Sequence, residues 1–184
     1  MKRVFRYLKG TSKFGLKYTN EFDVDLTGHS DSDWAGDLDD RKSTTSYVFN
    51  IDSGIMSWSS KKQPTVSLSS TEAEYKSLCN TTCEAIWLRR ILEDVGEGQK
   101  EPRVIKCDNQ SCIKLANNPV YNARSKHIEI QHHFVREKMQ SKEINLVYCN
   151  TNENVVDIFT KPLGKEKFEN FRDHLGVVEN PFLH

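Results

Sequence analysis

The chain has 184 residues and a mass of 21.3 kDa, the size of one ordinary domain able to bury a core without disulfide staples and too small to hold a polymerase beside a second activity. Hydrophobic residues at 36%, charged residues at 28% and a mean hydropathy of −0.66 exclude a collagen-like chain, and no run of about 18 apolar residues exists to span a membrane. Basic and acidic residues number 26 each, so the net charge is zero and any attraction for a polyanion has to come from local basic clusters.

The opening residues alternate basic and apolar types and lack the apolar core of a secretory signal. Residues 2–9 read as a basic amphipathic stub, with Val4, Phe5 and Leu8 on one side. Residues 16–19 alternate like a short strand, and residues 24–34 do so more clearly. A polar turn follows over residues 36–42, then two strands at hairpin spacing, 46–51 and 55–59, broken by Gly54. Pro64 ends the second arm, with residues 65–68 as an expected extension. The period then changes. Ser70 or Thr71 caps a helix carrying Leu78, Ala85, Leu88, Leu92 and Val95 at helical spacing, and Gly96 closes it. Residues 104–107 form an apolar strand, 111–117 and 128–139 helices, 144–149 a strand, 155–160 a short helix and 165–175 a last helix. From residue 24 the order is β-β-β-α-β-α-α-β-α-α, which packs most economically as a mixed sheet flanked by helices.

The five cysteines, Cys79, Cys83, Cys107, Cys112 and Cys149, lack the paired C-x2-C spacing of zinc ribbons. They are expected to be reduced, mostly buried thiols, which favours a reducing compartment. His127, His132 and His133 do not have the i, i+4 spacing of a helical metal pair and are assigned structural or substrate-side roles. Trp34, Trp58 and Trp87 sit in apolar patterns and are expected in the core, with Trp58 alternatively flanking a minor groove.

Four acids fall at element ends. Asp31 lies in the first long strand, and Glu74 in the first turn of the long helix with Leu78 at i+4 on the packing face. Asp108 directly follows strand 104–107, at the carboxyl end where open α/β sheets place ligands, and Asp157 opens the short helix after the last strand. A carboxylate on a packing face is costly unless paired or metal-bound, and hard divalent cations with oxygen ligands relieve the repulsion of four converging ones. Each acid taken alone reads more readily as a cap, turn or surface residue, and it is the placement of all four at sheet ends or helix starts that shifts the balance.

Longer blocks carry a family signature: Ser30-Asp31-Ser32-Asp33-Trp34-Ala35-Gly36-Asp37, Asp40-Arg41-Lys42-Ser43-Thr44, Ser57-Trp58-Ser59-Ser60-Lys61-Lys62-Gln63 and Leu68-Ser69-Ser70-Thr71-Glu72-Ala73-Glu74-Tyr75. Cys107-Asp108-Asn109, Asn118-Pro119-Val120, Lys126-His127-Ile128-Glu129-Ile130, His133-Phe134-Val135-Arg136-Glu137 and Phe159-Thr160-Lys161-Pro162-Leu163 continue it in order. Together, from about residue 24 to 176, they resemble the ribonuclease H domain of copia-type (LTR) retrotransposon reverse transcriptase polyproteins. Residues 1–20 are then a basic stub resembling the tail that leaves the family's reverse transcriptase, 21–176 the ribonuclease H-like domain and 177–184 a C-terminal tail.

The resemblance implies a ribonuclease H-like α/β fold with a five-stranded mixed sheet flanked by helices. It implies metal-dependent endoribonuclease activity on the RNA strand of RNA–DNA hybrids. The family's D-E-D-D set falls on Asp31, Glu74, Asp108 and Asp157, which would hold two Mg2+ ions (Mn2+ substituting) about 4 Å apart, Asp31 bridging them. Ser32 and Asn109 are expected to reach the 2′-hydroxyls, and Lys61, Lys62, Arg124 and Lys126 the phosphates. The implied partners are the hybrid and the reverse transcriptase of the same polyprotein, without a membrane, in a cytoplasmic virus-like particle or the nucleus. Two departures stand out. The region before the last acid, Cys149-Asn150-Thr151-Asn152-Glu153, lacks the His that many cellular ribonucleases H carry, and Ser43-Thr44-Thr45-Ser46-Tyr47 lacks the family's usual glycine. The alternatives are a non-catalytic, domesticated nucleic-acid-binding or structural module, and another nuclease of the superfamily; the acid order D-E-D-D speaks against a D-D-E strand-transfer enzyme.

Overall fold

The computed structural model describes residues 1–19, 25–51, 53–118 and 129–182. In chain order its elements are α1 (Lys2–Thr11), β1 (Phe14–Leu16), β2 (Leu26–Asp33), β3 (Thr44–Ile51), β4 (Gly54–Lys62), α2 (Ser70–Asp94), β5 (Arg103–Cys107), α3 (Gln110–Asn117), α4 (Glu129–Gln140), β6 (Ile144–Tyr148), α5 (Lys165–His174) and β7 (Val177–Glu179). Two 3-10 turns, Thr151–Glu153 and Val155–Phe159, lead from β6 to α5. Five strands make one mixed sheet in the order β4-β3-β2-β5-β6, with β2, β3 and β4 antiparallel and β5 and β6 running parallel to β2. This is the expected α/β architecture.

Alternation along the strands divides the core between the two faces of the sheet. On β3, Tyr47, Phe49 and Ile51 pack into the cluster that holds Tyr75, Leu78 and Leu88 of α2, Cys112 of α3 and Val135 of α4. Val48, between them, joins Ile55, Val155, Val156, Phe171 and Leu175 on the opposite face. Leu26, Phe49 and Leu78 are fully buried, each contributing about 2 kcal/mol by leaving water.

Small residues let α2 lie close to the sheet. The Ser77 hydroxyl donates to the Asp31 carbonyl at 2.7 Å, and the Ser30 hydroxyl donates to Ser77 Oγ at 3.1 Å. At Gly28 a Cβ would stand 2.5 Å from the Phe49 ring, so β2 passes where no side chain fits. The helix cap is Ser69, one residue before the expected pair: it accepts from Glu72 N–H at 3.1 Å, while the Glu72 carboxylate accepts from Leu68 N–H at 2.9 Å.

Three expectations are corrected. Residues 65–68 form no strand; the Ser67 hydroxyl donates to the buried Gln63 side chain at 2.7 Å and turns the chain toward the helix instead. Trp34, Trp58 and Trp87 are 54%, 57% and 55% exposed, because Trp58 lies on an edge strand and Trp87 falls outside the apolar stripe of α2. Trp34 still donates its indole N–H to Ser67 O at 3.0 Å. The first short strand is Phe14–Leu16, and it pairs antiparallel with β7 (Gly15 opposite Val178), tying the chain's two ends together. The N-terminal helix α1 buries no residue.

Candidate active site

The register of the sheet assembles the acids. Ser30 of β2 pairs with Cys107 of β5 in parallel, so the next residues, Asp31 and Asp108, stand side by side at the strands' carboxyl ends. Glu74, one turn into α2, comes over the same edge, and a carboxylate oxygen of Glu74, Cys107 Sγ and a carboxylate oxygen of Asp108 all lie within 4.8 Å of one another. Asp157 arrives from the other face on the Val155–Phe159 turn. That turn is pinned to β2 by Asn154, whose Nδ2 donates to Ser30 O at 3.1 Å and whose Oδ1 lies 3.3 Å from His29 Nδ1. The Thr160 hydroxyl closes the corner by donating to Asp31 Oδ2.

Burial and crowding set the electrostatics. Asp31, 3% exposed, is pushed up to about 6, first by loss of water and further by Asp157 and Asp108, against the Thr160 hydrogen bond and Lys161. Glu74 is raised well above the usual carboxylate range by burial, with Asp31 adding. Its Oε2 is buried without a hydrogen-bond partner among the described residues. Fully buried Asp157 is ion-paired to Lys161 Nζ at 2.8 Å and Lys167 Nζ at 2.9 Å. Lys161 is held above its ordinary value: burial opposes this, but Asp157, Asp31 and Asp108 outweigh it. Hard oxygen donors at one corner, with Glu74 Oε2 buried and unpartnered among the described residues, fit a divalent cation of the Mg2+ type.

The expected substrate contacts are distributed unevenly. Ser32 is buried beside Asp31 and its Oγ lies 3.3 Å from Gln63 Nε2. Asn109 caps α3, its Oδ1 accepting from Cys112 N–H at 3.0 Å. Exposed Lys61 lines a hollow of about 470 Å³ with Tyr47, Cys83 and Trp87. Lys62 is paired to Asp37 at 2.6 Å and Asp40 at 3.0 Å. Arg124, Lys126 and His127 lie outside the described residues. His132 is buried, stacked on Tyr75 with ring centroids 4.1 Å apart, a structural position.

Several positioning residues escaped the sequence reading. Gln63, 3% exposed, donates to Thr45 Oγ1 at 2.9 Å and to Ala73 O at 3.1 Å, holding the start of α2 against the sheet. Lys161 was signalled by its i, i+4 spacing from Asp157 and Ser69 by the S-x-x-E pattern with Glu72; nothing local signalled Asn154 or Gln63, whose partners are distant in sequence.

A mixed sheet of this strand order, with acids from β2, α2, β5 and the turn after β6 meeting at one end, defines a ribonuclease H-like domain. LC11-RNase H1, isolated from compost by a metagenomic approach, superposes with a TM-score of 0.55 at 13% identity, covering 79% of this chain and 96% of that one. The same protein in complex with an RNA/DNA hybrid gives a TM-score of 0.51 over 73% of this chain and 93% of that one, at 12% identity. The sequence is 42% identical over 98% of its length to the retrovirus-related Pol polyprotein from transposon RE2 of Arabidopsis thaliana. It is equally 42% identical over 98% of its length to that from transposon TNT 1-94 of Nicotiana tabacum. No protein-family model matches. The chain belongs to the copia-type retrotransposon Pol polyproteins, as their segment of ribonuclease H fold. It spans 12% and 13% of the length of these two relatives.

Proposed function

We propose that the chain is a metal-dependent endoribonuclease that hydrolyses the RNA strand of RNA–DNA hybrids. The observation that carries this reading is the meeting of Asp31, Glu74, Asp108 and Asp157 at one end of the sheet, with Glu74 Oε2 buried and unpartnered among the described residues. Asp31, Glu74 and Asp108 would hold one Mg2+ ion, and Asp31 and Asp157 a second, with Mn2+ as a substitute. Bound there, such ions activate the attacking water and stabilise the leaving 3′ oxygen.

The chain's own groups do the rest. Thr160 and the Ser77–Asp31 hydrogen bond keep Asp31 oriented, and Asn154 keeps Asp157 against β2. Lys161 and Lys167 neutralise Asp157 in the metal-free protein. Lys61, with Arg124 and Lys126, contacts phosphates, while Ser32 and Asn109 face the 2′-hydroxyls that mark RNA. Residues 1–20 lead toward a reverse transcriptase in the same polyprotein, and the work is done in a cytoplasmic particle or the nucleus. Among the described residues, no helix is long and apolar enough to cross a membrane. The hybrid-bound relative of the same fold supports the choice of substrate.

Labelled RNA–DNA hybrid, single-stranded RNA and duplex RNA, each incubated with Mg2+ or EDTA, test the reading. Cleavage restricted to the RNA strand of the hybrid and abolished by EDTA is expected. Equal cleavage of all three, or cleavage in EDTA, would overturn it, and tight hybrid binding without cleavage would establish the non-catalytic alternative.

A further inference from the structure

Cys107 ends β5 fully buried, and its sulfur belongs to the same corner as the carboxylates: Sγ, one Glu74 oxygen and one Asp108 oxygen lie within 4.8 Å of one another. One backbone donor is directed at the sulfur. Asn109 N–H donates to it at 3.4 Å, and the sulfur lies 4.0 Å from Asn109 O. Glu74, which brings a carboxylate oxygen to this corner, also has its Oε2 buried without a hydrogen-bond partner among the described residues. The chemistry of this donor set differs from that of carboxylates alone. Mg2+ takes oxygen and is indifferent to thiolate, whereas a sulfur ligand selects zinc and its softer relatives. Tetrahedral zinc, with Zn–S near about 2.3 Å and Zn–O near about 2.1 Å, sets its ligand atoms under about 4 Å apart, so the three atoms need only a small closure. Partly exposed Asp108 leaves a route in and room for water as fourth ligand.

We propose that Glu74, Cys107 and Asp108 form a zinc-binding corner, in which Zn2+ held by one thiolate and two carboxylates occupies the place of the activating ion and silences the nuclease. The thiol proton is released to solvent on binding, and no electron is transferred. The silencing rests on the nuclease reading above; the zinc chemistry does not.

The test uses the full chain carrying Cys79→Ser and Cys83→Ser, which removes a second thiol pair one helical turn apart. Stripped of metal and titrated with Co2+ or Cd2+, it should develop a near-ultraviolet sulfur-to-metal charge-transfer band saturating at one equivalent, which Zn2+ then abolishes. Cys107→Ser should remove the band, and Cys149→Ser should keep it. Glu74→Gln, which preserves the buried shape, should weaken the metal at least about tenfold, the least expected when a liganding group is lost. A band that is missing, or that survives Cys107→Ser, would overturn the proposal; so would an unchanged affinity in Glu74→Gln, which decides the matter if Cys107→Ser fails to fold. In parallel, hybrid cleavage in Mg2+ is measured with and without micromolar Zn2+. A Cys107-dependent band without any Mg2+-driven cleavage would refute the nuclease reading alone. Cleavage without the band would refute the zinc corner alone.

Discussion

Asp31 has the most to gain from losing its charge when no metal is bound. It is 3% exposed, and burial, Asp157 and Asp108 raise it from 3.8 to about 6, a rise of about two units. At about 1.4 kcal/mol per unit, holding Asp31 ionised in the metal-free fold at neutral pH costs up to about 3 kcal/mol. An asparagine at this position keeps the shape and an oxygen for the Thr160 hydroxyl but forfeits the attraction of Lys161, so Asp31→Asn should stabilise the EDTA-treated chain by about 1–2 kcal/mol near pH 7. The sign with pH follows from the direction of the shift. A raised folded value means that the folded state binds the extra proton, so Asp31's favourable contribution is complete below 3.8 and is lost as pH rises through about 6. The gap between variant and wild type should therefore narrow as the pH of urea melts is lowered from 7 and close near about pH 3, where Asp31 is protonated in the folded state and largely so in the unfolded one. Adding Mg2+ at neutral pH should reverse the order, because only the wild type retains the full ligand set. A variant less stable than wild type in EDTA at neutral pH, or a gap indifferent to pH, would refute the reasoning.

Lys161→Ala leaves buried Asp157 with Lys167 alone, so the metal-free chain should lose about 1–3 kcal/mol in chemical denaturation, with Mg2+ restoring more of the loss than it adds to wild type. Gly28→Ala places a Cβ 2.5 Å from the Phe49 ring and should destabilise the fold by about 1–3 kcal/mol in thermal or urea melts; an unperturbed melt would show that β2 and β3 yield there. Hybrid binding by a catalytically dead variant should be micromolar at physiological salt, with a log–log salt slope near about −3, since few phosphate-contacting cations are available on a chain of zero net charge. Arg124→Ala should reduce that slope by about one, and a nanomolar, salt-insensitive complex would point to contacts of another kind.

The sheet, its neighbouring helices and the places of the four acids were legible in the sequence because each depends on local pattern: period-two alternation in β2 and β3, helical spacing in α2, and acids inside or next to the ends of elements. The tryptophans misled for the same reason. Hydrophobic neighbours in sequence do not report that β4 is an edge strand, nor that Trp87 stands outside the stripe carrying Leu78, Ala85 and Leu92. The pairing of β1 with β7 was invisible because three-residue strands carry almost no periodicity and their partners lie at opposite ends of the chain. Gln63 follows two lysines and carries no local sign of burial, yet its amide is buried between β3 and α2, a setting fixed only by tertiary contacts. Cys107 read as an ordinary buried thiol, and its place among the acids follows from the register of β5 against β2.

The claim that the four carboxylates form one metal-binding catalytic centre is tested most directly by single-turnover cleavage of a labelled RNA–DNA hybrid in Mg2+. Wild type is compared with Asp31→Asn, Glu74→Gln, Asp108→Asn and Asp157→Asn, each confirmed folded by circular dichroism. Every substitution keeps the side chain's shape and removes one charge, and each should lower the rate by at least about a hundredfold, as losing one key electrostatic group does. Near-wild-type cleavage by any one of the four would take that residue out of the centre, and near-wild-type cleavage by Asp31→Asn, the acid expected to bridge both ions, would contradict the centre itself.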